Sequence, residues 1–413
     1  MPRRRFAMLT ATYPVMRPVR QPARSPTRRR GPTPTTRPCR GAAWSLAGLL
    51  AVQVAGLVGA TACTRPGEQR ALAELDVGSA GLRGISVQAT GGLAAIRELG
   101  DGKLELWSQT PDLELTITLD PTAAGPWTII ARNTLADAVL TEAGVVHARE
   151  PGGLPTVASF ALTLGAGTTL LRIAPPDADR VEPYRFAAMA DIQTALPTVD
   201  DVFRAISGVP GLRFVAAMGD ITQRGELREY DLFDRQLQTL TIPFYTTLGN
   251  HELWGPAERF LDRYGRASFH FVFKGAAFTF VDSGDAGLDP IVEGWLDGWL
   301  ADARDQAHVF LTHIPPLDPF DGRYGSFRSA EDARRLLGRL VEGHVDLTLY
   351  GHIHTYIKFE NAGIPAYISG GGGALPMRWD GIDRHFLVVT VDPAAGAIGG
   401  VEVHRVANRH GGG

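Results

Sequence analysis

A chain of 413 residues is longer than one ordinary domain, and 44% hydrophobic residues is the content of a globular protein. The net charge of −3 conceals an asymmetry: residues 1–40 carry eleven Arg and no acid, and residues 41–63 carry no charge. Subtracting those eleven charges leaves −14 from Thr64 onward, which argues against general nucleic-acid binding.

Residues 1–40, rich in Arg, Pro and Thr without an apolar period, cannot build a core. An uncharged stretch follows from Gly41 to Ala62, most apolar from Leu46 to Val58, and ends in small residues before Cys63. A basic flank, an apolar middle and a small-residue end describe an export signal. Cys63 resembles the lipidated first residue of a bacterial lipoprotein, although Ala60 stands where such signals carry Leu. Cleavage after Ala62 by an ordinary signal peptidase is the second reading. An uncleaved anchor is the third, since the stretch is about the ~20 residues that a span requires. The expected location is therefore the cell envelope, held by a lipid or an uncleaved segment, with a secreted or periplasmic protein as the alternative. The two cysteines, Cys39 and Cys63, both fall in this region, so the body holds no disulfide. Thr64–Arg70 reads as a short tether.

Between residues 71 and 178, short alternating or apolar runs (Leu104–Trp107, Leu113–Leu119, Trp127–Ala131, Thr168–Ile173) are separated by Gly, Pro and Asp turns. This spacing predicts a small β-sandwich. His147 reads as a solvated loop histidine, and Pro175–Asp179 as a linker.

From residue 184 to 406, strand-like runs alternate with helical patterns over Asp200–Ser207, Leu227–Thr239, Ala257–Tyr264, Pro290–Ala303 and Ser329–Glu342. Ser268–Phe273 and Ala277–Asp282 read as a hairpin around Lys274-Gly275. After His354, three more strands are expected at Ile364–Ser369, Phe386–Val391 and Gly400–Val406, completing a second sheet. Five of the apolar runs end in a polar island: Asp191-Ile192-Gln193, Gly219-Asp220, Gly249-Asn250-His251-Glu252, His313, and Gly351-His352-Ile353-His354. Carboxylate, amide and imidazole are the side chains that hold hard or borderline divalent metals. Ligands collect beyond the carboxyl ends of strands in an open α/β sheet, so the five islands should share one edge.

This ordered series resembles the calcineurin-like metallophosphoesterase superfamily, over about Tyr184 to Asp392. The resemblance implies an α/β fold, a two-sheet αββα sandwich, here preceded by an N-terminal all-β domain. It implies two metal ions (Mn, Fe, Zn or Mg), a metal-activated hydroxide and a phosphoester substrate. One metal would take Asp191, Gln193, Asp220 and His354; the other would take Asp220, Asn250, His313 and His352. Asp220 would bridge the pair. Gln193 departs from the commoner His, a change that favours harder cations. Asn250 and His251 would contact the substrate, with His251 protonating the leaving oxygen. Glu252 would orient a neighbour or stand as an exposed turn acid. Arg323, Arg328 and Arg224 are candidate phosphate contacts, because guanidinium binds phosphate in bidentate fashion. Gly370–Gly373 reads as a tight strand-to-loop passage beside the site. The implied activity is an exported phosphodiesterase. The alternatives are a phosphomonoesterase or nucleotidase of the same fold, or a surface binding lipoprotein with an inactive site.

Overall fold

The apolar runs that end in polar islands are buried on both faces, which explains why they lack alternation. In the strand Tyr184–Met189, Phe186 and Ala188 face one core while Ala187 and Met189 face another. The strand Leu212–Ala217 divides likewise, with Phe214 and Ala216 on one side and Val215 and Ala217 on the other. A sheet covered on both sides needs apolar residues at every position. The computed structural model describes residues 65–320, 325–376 and 381–407. The expected export segment with Cys39 and Cys63, together with Arg323, lies outside them.

The five strands that precede the islands do not share a single sheet, contrary to expectation. Three of them lie in a five-stranded sheet ordered Phe244–Thr246, Leu212–Ala217, Tyr184–Met189, His385–Asp392, Ala397–Arg405. The first three are parallel, and the last two add antiparallel. The other two, Ala307–Thr312 and Leu347–Tyr350, lie in a six-stranded sheet. Its order is Phe269–Phe273, Ala276–Val281, Ala307–Thr312, Leu347–Tyr350, Ile364–Ser369, Tyr356–Asn361. The three strands after His354 are thus divided: Ile364–Ser369 joins the second sheet, while the regions of the other two return to the first. The run Phe386–Val391, expected in the second sheet, joins the first instead; with Phe386 to Val389 buried on both faces, it carries no mark of which sheet it enters.

The two sheets pack face to face through an aromatic layer. Phe278 meets both Phe186 and Phe214 edge-on, each with centroids 5.2 Å apart. Truncating Phe214, which has no exposed surface, would cost about 3–5 kcal/mol. Helices Asp200–Ser207 and Leu227–Leu237 cover the outside of the first sheet with Phe203, Ile206, Tyr230 and Phe233. Helices Pro290–Asp302 and Ala330–Glu342 cover the second with Leu296, Leu300, Leu336 and Leu340. Asp289 caps one of these by accepting from Ile291 N, and Ser329 caps the other by accepting from Asp332 N. The hairpin turn at Lys274-Gly275 has both residues at positive φ, as a two-residue loop requires.

Residues 79–174 form a six-stranded and a four-stranded sheet. Their inward residues, among them Leu113, Leu115, Ile117, Trp127, Ile129, Phe160 and Leu162, alternate with outward ones and share one core. The strand Val157–Leu164 was not anticipated. His147 lies on the strand Val145–His147, beside Glu142, and is not a loop residue. The expected tether is instead a helix, Pro66–Glu74. Arg70 pairs there with Asp282 and Asp285, and Glu74 accepts from Ser268 N. The expected linker is tied down as well: Asp177 holds Arg213 and Lys274.

Candidate metal centre

The first sheet delivers Asp191, Asp220 and Asn250 at the carboxyl ends of parallel neighbours, and the second delivers His313 and His352 in the same way. The loops are laced together where the sheets meet. Asp191 N donates to Gly219 O, Gln193 N to Asp220 O, and Gly351 N to His313 O. Leaving a strand so abruptly forces four island residues into the left-handed region: Asp191 (φ 64°), Gln193 (42°), Asp220 (54°) and His352 (69°). Each costs on the order of 1–3 kcal/mol, and such positions concentrate at functional sites. Two glycines permit the close approach. A β-carbon at Gly249 would overlap Asp220 Oδ1, and one at Gly351 would stand 2.6 Å from the Ala190 β-carbon and 2.9 Å from Asp191 Oδ2.

The side chains form a continuous chain of contacts. Asp220 Oδ2 accepts from Gln193 Nε2 at 2.6 Å and lies 3.2 Å from His313 Nε2. His313 Nε2 lies 3.1 Å from Asn250 Oδ1. Gln193 Nε2 reaches His354 Nε2 at 3.2 Å, and His354 Nε2 lies 3.5 Å from Asp191 Oδ1. His352 donates its backbone N–H to Asp191 Oδ2 at 2.9 Å and sets its ring edge-on to His313, centroids 5.3 Å apart. Ligand atoms of Asp191, Asp220 and His313 all lie within 4.8 Å of one another. All seven residues expected as ligands are therefore gathered in one place. The inner three are fully buried, whereas Asn250, His251, His352 and His354 are half-exposed, leaving one open side.

Three imidazoles are oriented by backbone carbonyls. His313 Nδ1 donates to Met218 O at 2.6 Å, His354 Nδ1 to Leu375 O at 2.9 Å, and His251 Nδ1 to Gln223 O at 2.8 Å. A carbonyl only accepts, so Nδ1 carries the proton, and in the first two rings Nε2 is aimed at the cluster. Burial alone would lower the His313 pKa, but Asp220 and then Asp191 raise it to about 9. Asp220 is held well below the usual carboxylate range by His313, although burial pushes the other way. His354 is likewise raised by Asp191 against the effect of burial.

Glu252 corrects a sequence expectation. It is wholly buried rather than an exposed turn acid, and it orients the Asp220 loop rather than His251. Its oxygens accept from Asp220 N (3.0 Å), Gly249 N (2.7 Å), Thr222 N (2.8 Å) and Thr222 Oγ1 (2.8 Å). Burial and the charge of Asp220 push its pKa up to about 7. Thr222 escaped notice; its one signal is a hydroxyl two residues after Asp220. Arg328 is exposed and lines a cavity of about 350 Å³ with Arg70, Asp282, Asp285 and Asp289, none of them cluster residues. Arg224 is exposed on the loop that holds His251. The glycine passage lies where expected: Gly372 N donates to Ala190 O, and a β-carbon at Gly372 would stand 2.4 Å from that same oxygen.

The donor set suits hard or borderline cations. Asp191 Oδ1 is buried without a hydrogen-bond partner, a costly state for a carboxylate oxygen that a cation would relieve. Turning the Gln193 amide over would present its oxygen to the same space.

The order of these residues agrees with one family comparison. Residues 184–356 match the family model described as calcineurin-like phosphoesterase. A search of curated proteins returned no match. Among solved structures, a purple acid phosphatase, PPD1, from yellow lupin (Lupinus luteus) seeds is 15% identical, with TM-score 0.47 and 72% of each chain covered. PhoD is 12% identical, with TM-score 0.43, over 72% of this chain and 87% of its own. A dimetal phosphatase from Danio rerio is 13% identical, with TM-score 0.39, over 55% of this chain and all of its own.

Proposed function

With residues 184–356 a calcineurin-like phosphoesterase domain, a hydrolase fold acting on phosphoric esters, we propose that this chain is an exported, metal-dependent phosphodiesterase. The observation that carries the reading is the convergence of two carboxylates, three imidazoles and two amides from two sheets, around a buried carboxylate oxygen that accepts no hydrogen bond. Asp191, Gln193, Asp220 and His354 would hold one cation. Asp220, Asn250, His313 and His352 would hold the other. Cations bound there would neutralise phosphoryl charge and acidify water.

The chain's own residues supply the remainder. Glu252 anchors three backbone N–H groups around Asp220 and so fixes its carboxylate. His251 stands beside the cluster, its backbone N–H on Asp220 Oδ1 and its ring stacked on Trp254 at 4.6 Å. With Nδ1 committed to Gln223 O, its Nε2 is available to the substrate. As water adds to phosphorus and gives up a proton to solvent, the ester P–O bond breaks and a proton passes from His251 Nε2 to the leaving oxygen.

The test is hydrolysis of bis(p-nitrophenyl) phosphate and of p-nitrophenyl phosphate by metal-loaded protein. Faster turnover of the diester is expected; faster turnover of the monoester favours a phosphomonoesterase or nucleotidase. Purified protein free of Mn, Fe, Zn and Co, and inactive on added Mn²⁺, would overturn catalysis and leave a binding protein. Export rests on the sequence of residues 1–63, and mass spectrometry of the mature N-terminus tests it: lipidated Cys63 is expected, and an intact Met1 overturns cleavage.

A further inference from the structure

Large apolar side chains at a protein surface are unremarkable singly but informative when they border a polar site. Among the described residues, the exposed Trp and Phe side chains are Trp254 (62% exposed) and Phe320 (60%). Both lie on loops that carry the cluster. Trp254 follows His251 by three residues and stacks on its ring, planes 23° apart. Phe320 follows His313 by seven residues, and exposed Leu317 follows it by four. Leu375 is 80% exposed, and its own carbonyl holds His354 Nδ1. Apolar surface therefore adjoins His251 at Trp254 and borders the His354 loop at Leu375, and the segment after His313 carries two more exposed apolar side chains.

We propose that the substrate is an amphiphilic phosphoester whose apolar chain lies on Trp254, Leu317, Phe320 and Leu375. The inference rests on the phosphoesterase reading. A phosphorus atom held by the cluster leaves its ester substituent nowhere to go but outward through the open side, past His251 and His354. There it meets Trp254, stacked on His251, and the exposed side chain of Leu375, the residue whose carbonyl holds His354. A sugar or other polyol substituent would need several hydrogen-bonding partners, and these four side chains offer a single donor, the Trp254 indole N–H. An alkyl substituent gains by covering them, at about 0.8 kcal/mol for each methylene buried. Such a phosphoester could reach the site as a free monomer or from a lipid surface; the recognising chemistry is the same.

The experiment compares methyl, dodecyl and thymidine 5′ p-nitrophenyl phosphates, all releasing p-nitrophenol, with the full-length chain loaded with Mn²⁺. The dodecyl probe is used below its micellar concentration, then again in phosphatidylcholine vesicles. The expected kcat/KM ratio of dodecyl to methyl is about 10-fold or more. The double variant Leu317→Ser, Leu375→Ser, which alters only exposed side chains, should lower that ratio about 5-fold, and Trp254→Ala should lower it independently. A vesicle rate above the monomer rate identifies a lipid surface as the source; equal rates identify the free amphiphile. A ratio near one, a ratio unmoved by the variants, or preference for the thymidine probe overturns the inference while the phosphoesterase reading stands. Inactivity toward all three probes removes that reading, and this inference with it.

Discussion

The N-terminal sheets and the phosphoesterase sheets are built from similar strands but end them differently. In residues 79–174 the left-handed non-glycine residues are Asp101, Asn133 and Ala143, and Asp101 and Ala143 sit at turns between paired strands. Asn133 uses its amide to join the two regions, donating to Ser108 O and Phe244 O and accepting from Phe244 N. In the phosphoesterase region, four of the seven ligand-type residues adopt that conformation, and two of them, Asp191 and Asp220, are fully buried carboxylates. The first region confines its left-handed residues to turns and to Asn133, whose amide is fully engaged; the second violates local preference where chemistry is concentrated. Natural sequences tolerate such violations at functional sites.

Substitutions that strike one region and spare the other test this contrast. Asp220→Asn should be the most damaging to activity, lowering kcat/KM on the order of 10³-fold and abolishing metal retention, while circular dichroism stays native. His251→Ala should lower kcat by about 10²-fold with metal content unchanged. Loss of metal in that variant would mean His251 belongs among the ligands. Asn133→Ala should do the reverse: it strands three buried backbone groups and should cost about 3 kcal/mol in denaturant unfolding, with kcat nearly intact. A collapse of kcat there would show that the sandwich participates in the site.

The smallest effect is expected at Glu74, where burial, then the charge of Asp282, raises the carboxyl pKa to about 8. A pKa raised in the folded state gives stability that is full below the unfolded value of about 4.5 and is lost as pH rises through about 8. Glu74→Gln cannot ionise, so its Tm should overtake that of the parent as pH rises from 6 to 9, by about 1–2 kcal/mol of stability. Parallel Tm profiles across that range would refute the assignment.

Much of the catalytic half was legible because its signals are local. A buried run closed by Gly or Asp marks both a strand and its carboxyl end, and helices such as Asp200–Ser207 and Ala330–Glu342 follow from apolar spacing and an acidic first turn. The helix Pro66–Glu74 was not legible: it has few apolar residues, and Arg70 and Glu74 are buried only because Asp282, Asp285 and Ser268 receive them. Glu252 could not be decided between an orienting role and an exposed turn acid for the same reason, since a carboxylate reads as exposed unless its N–H donors are known.

The order of residues alone determined which side chains follow which strands, hence the identity of the donor set and the kind of chemistry it suits. Tertiary structure decided that four of the donors follow strands of one sheet and three follow strands of another, and that carbonyls of Met218, Gln223 and Leu375 aim the imidazoles. The physical reason is range. Strand and turn preferences act over a few residues, whereas these orienting contacts join groups 21 to 95 positions apart, and only packing of the two sheets brings such groups together.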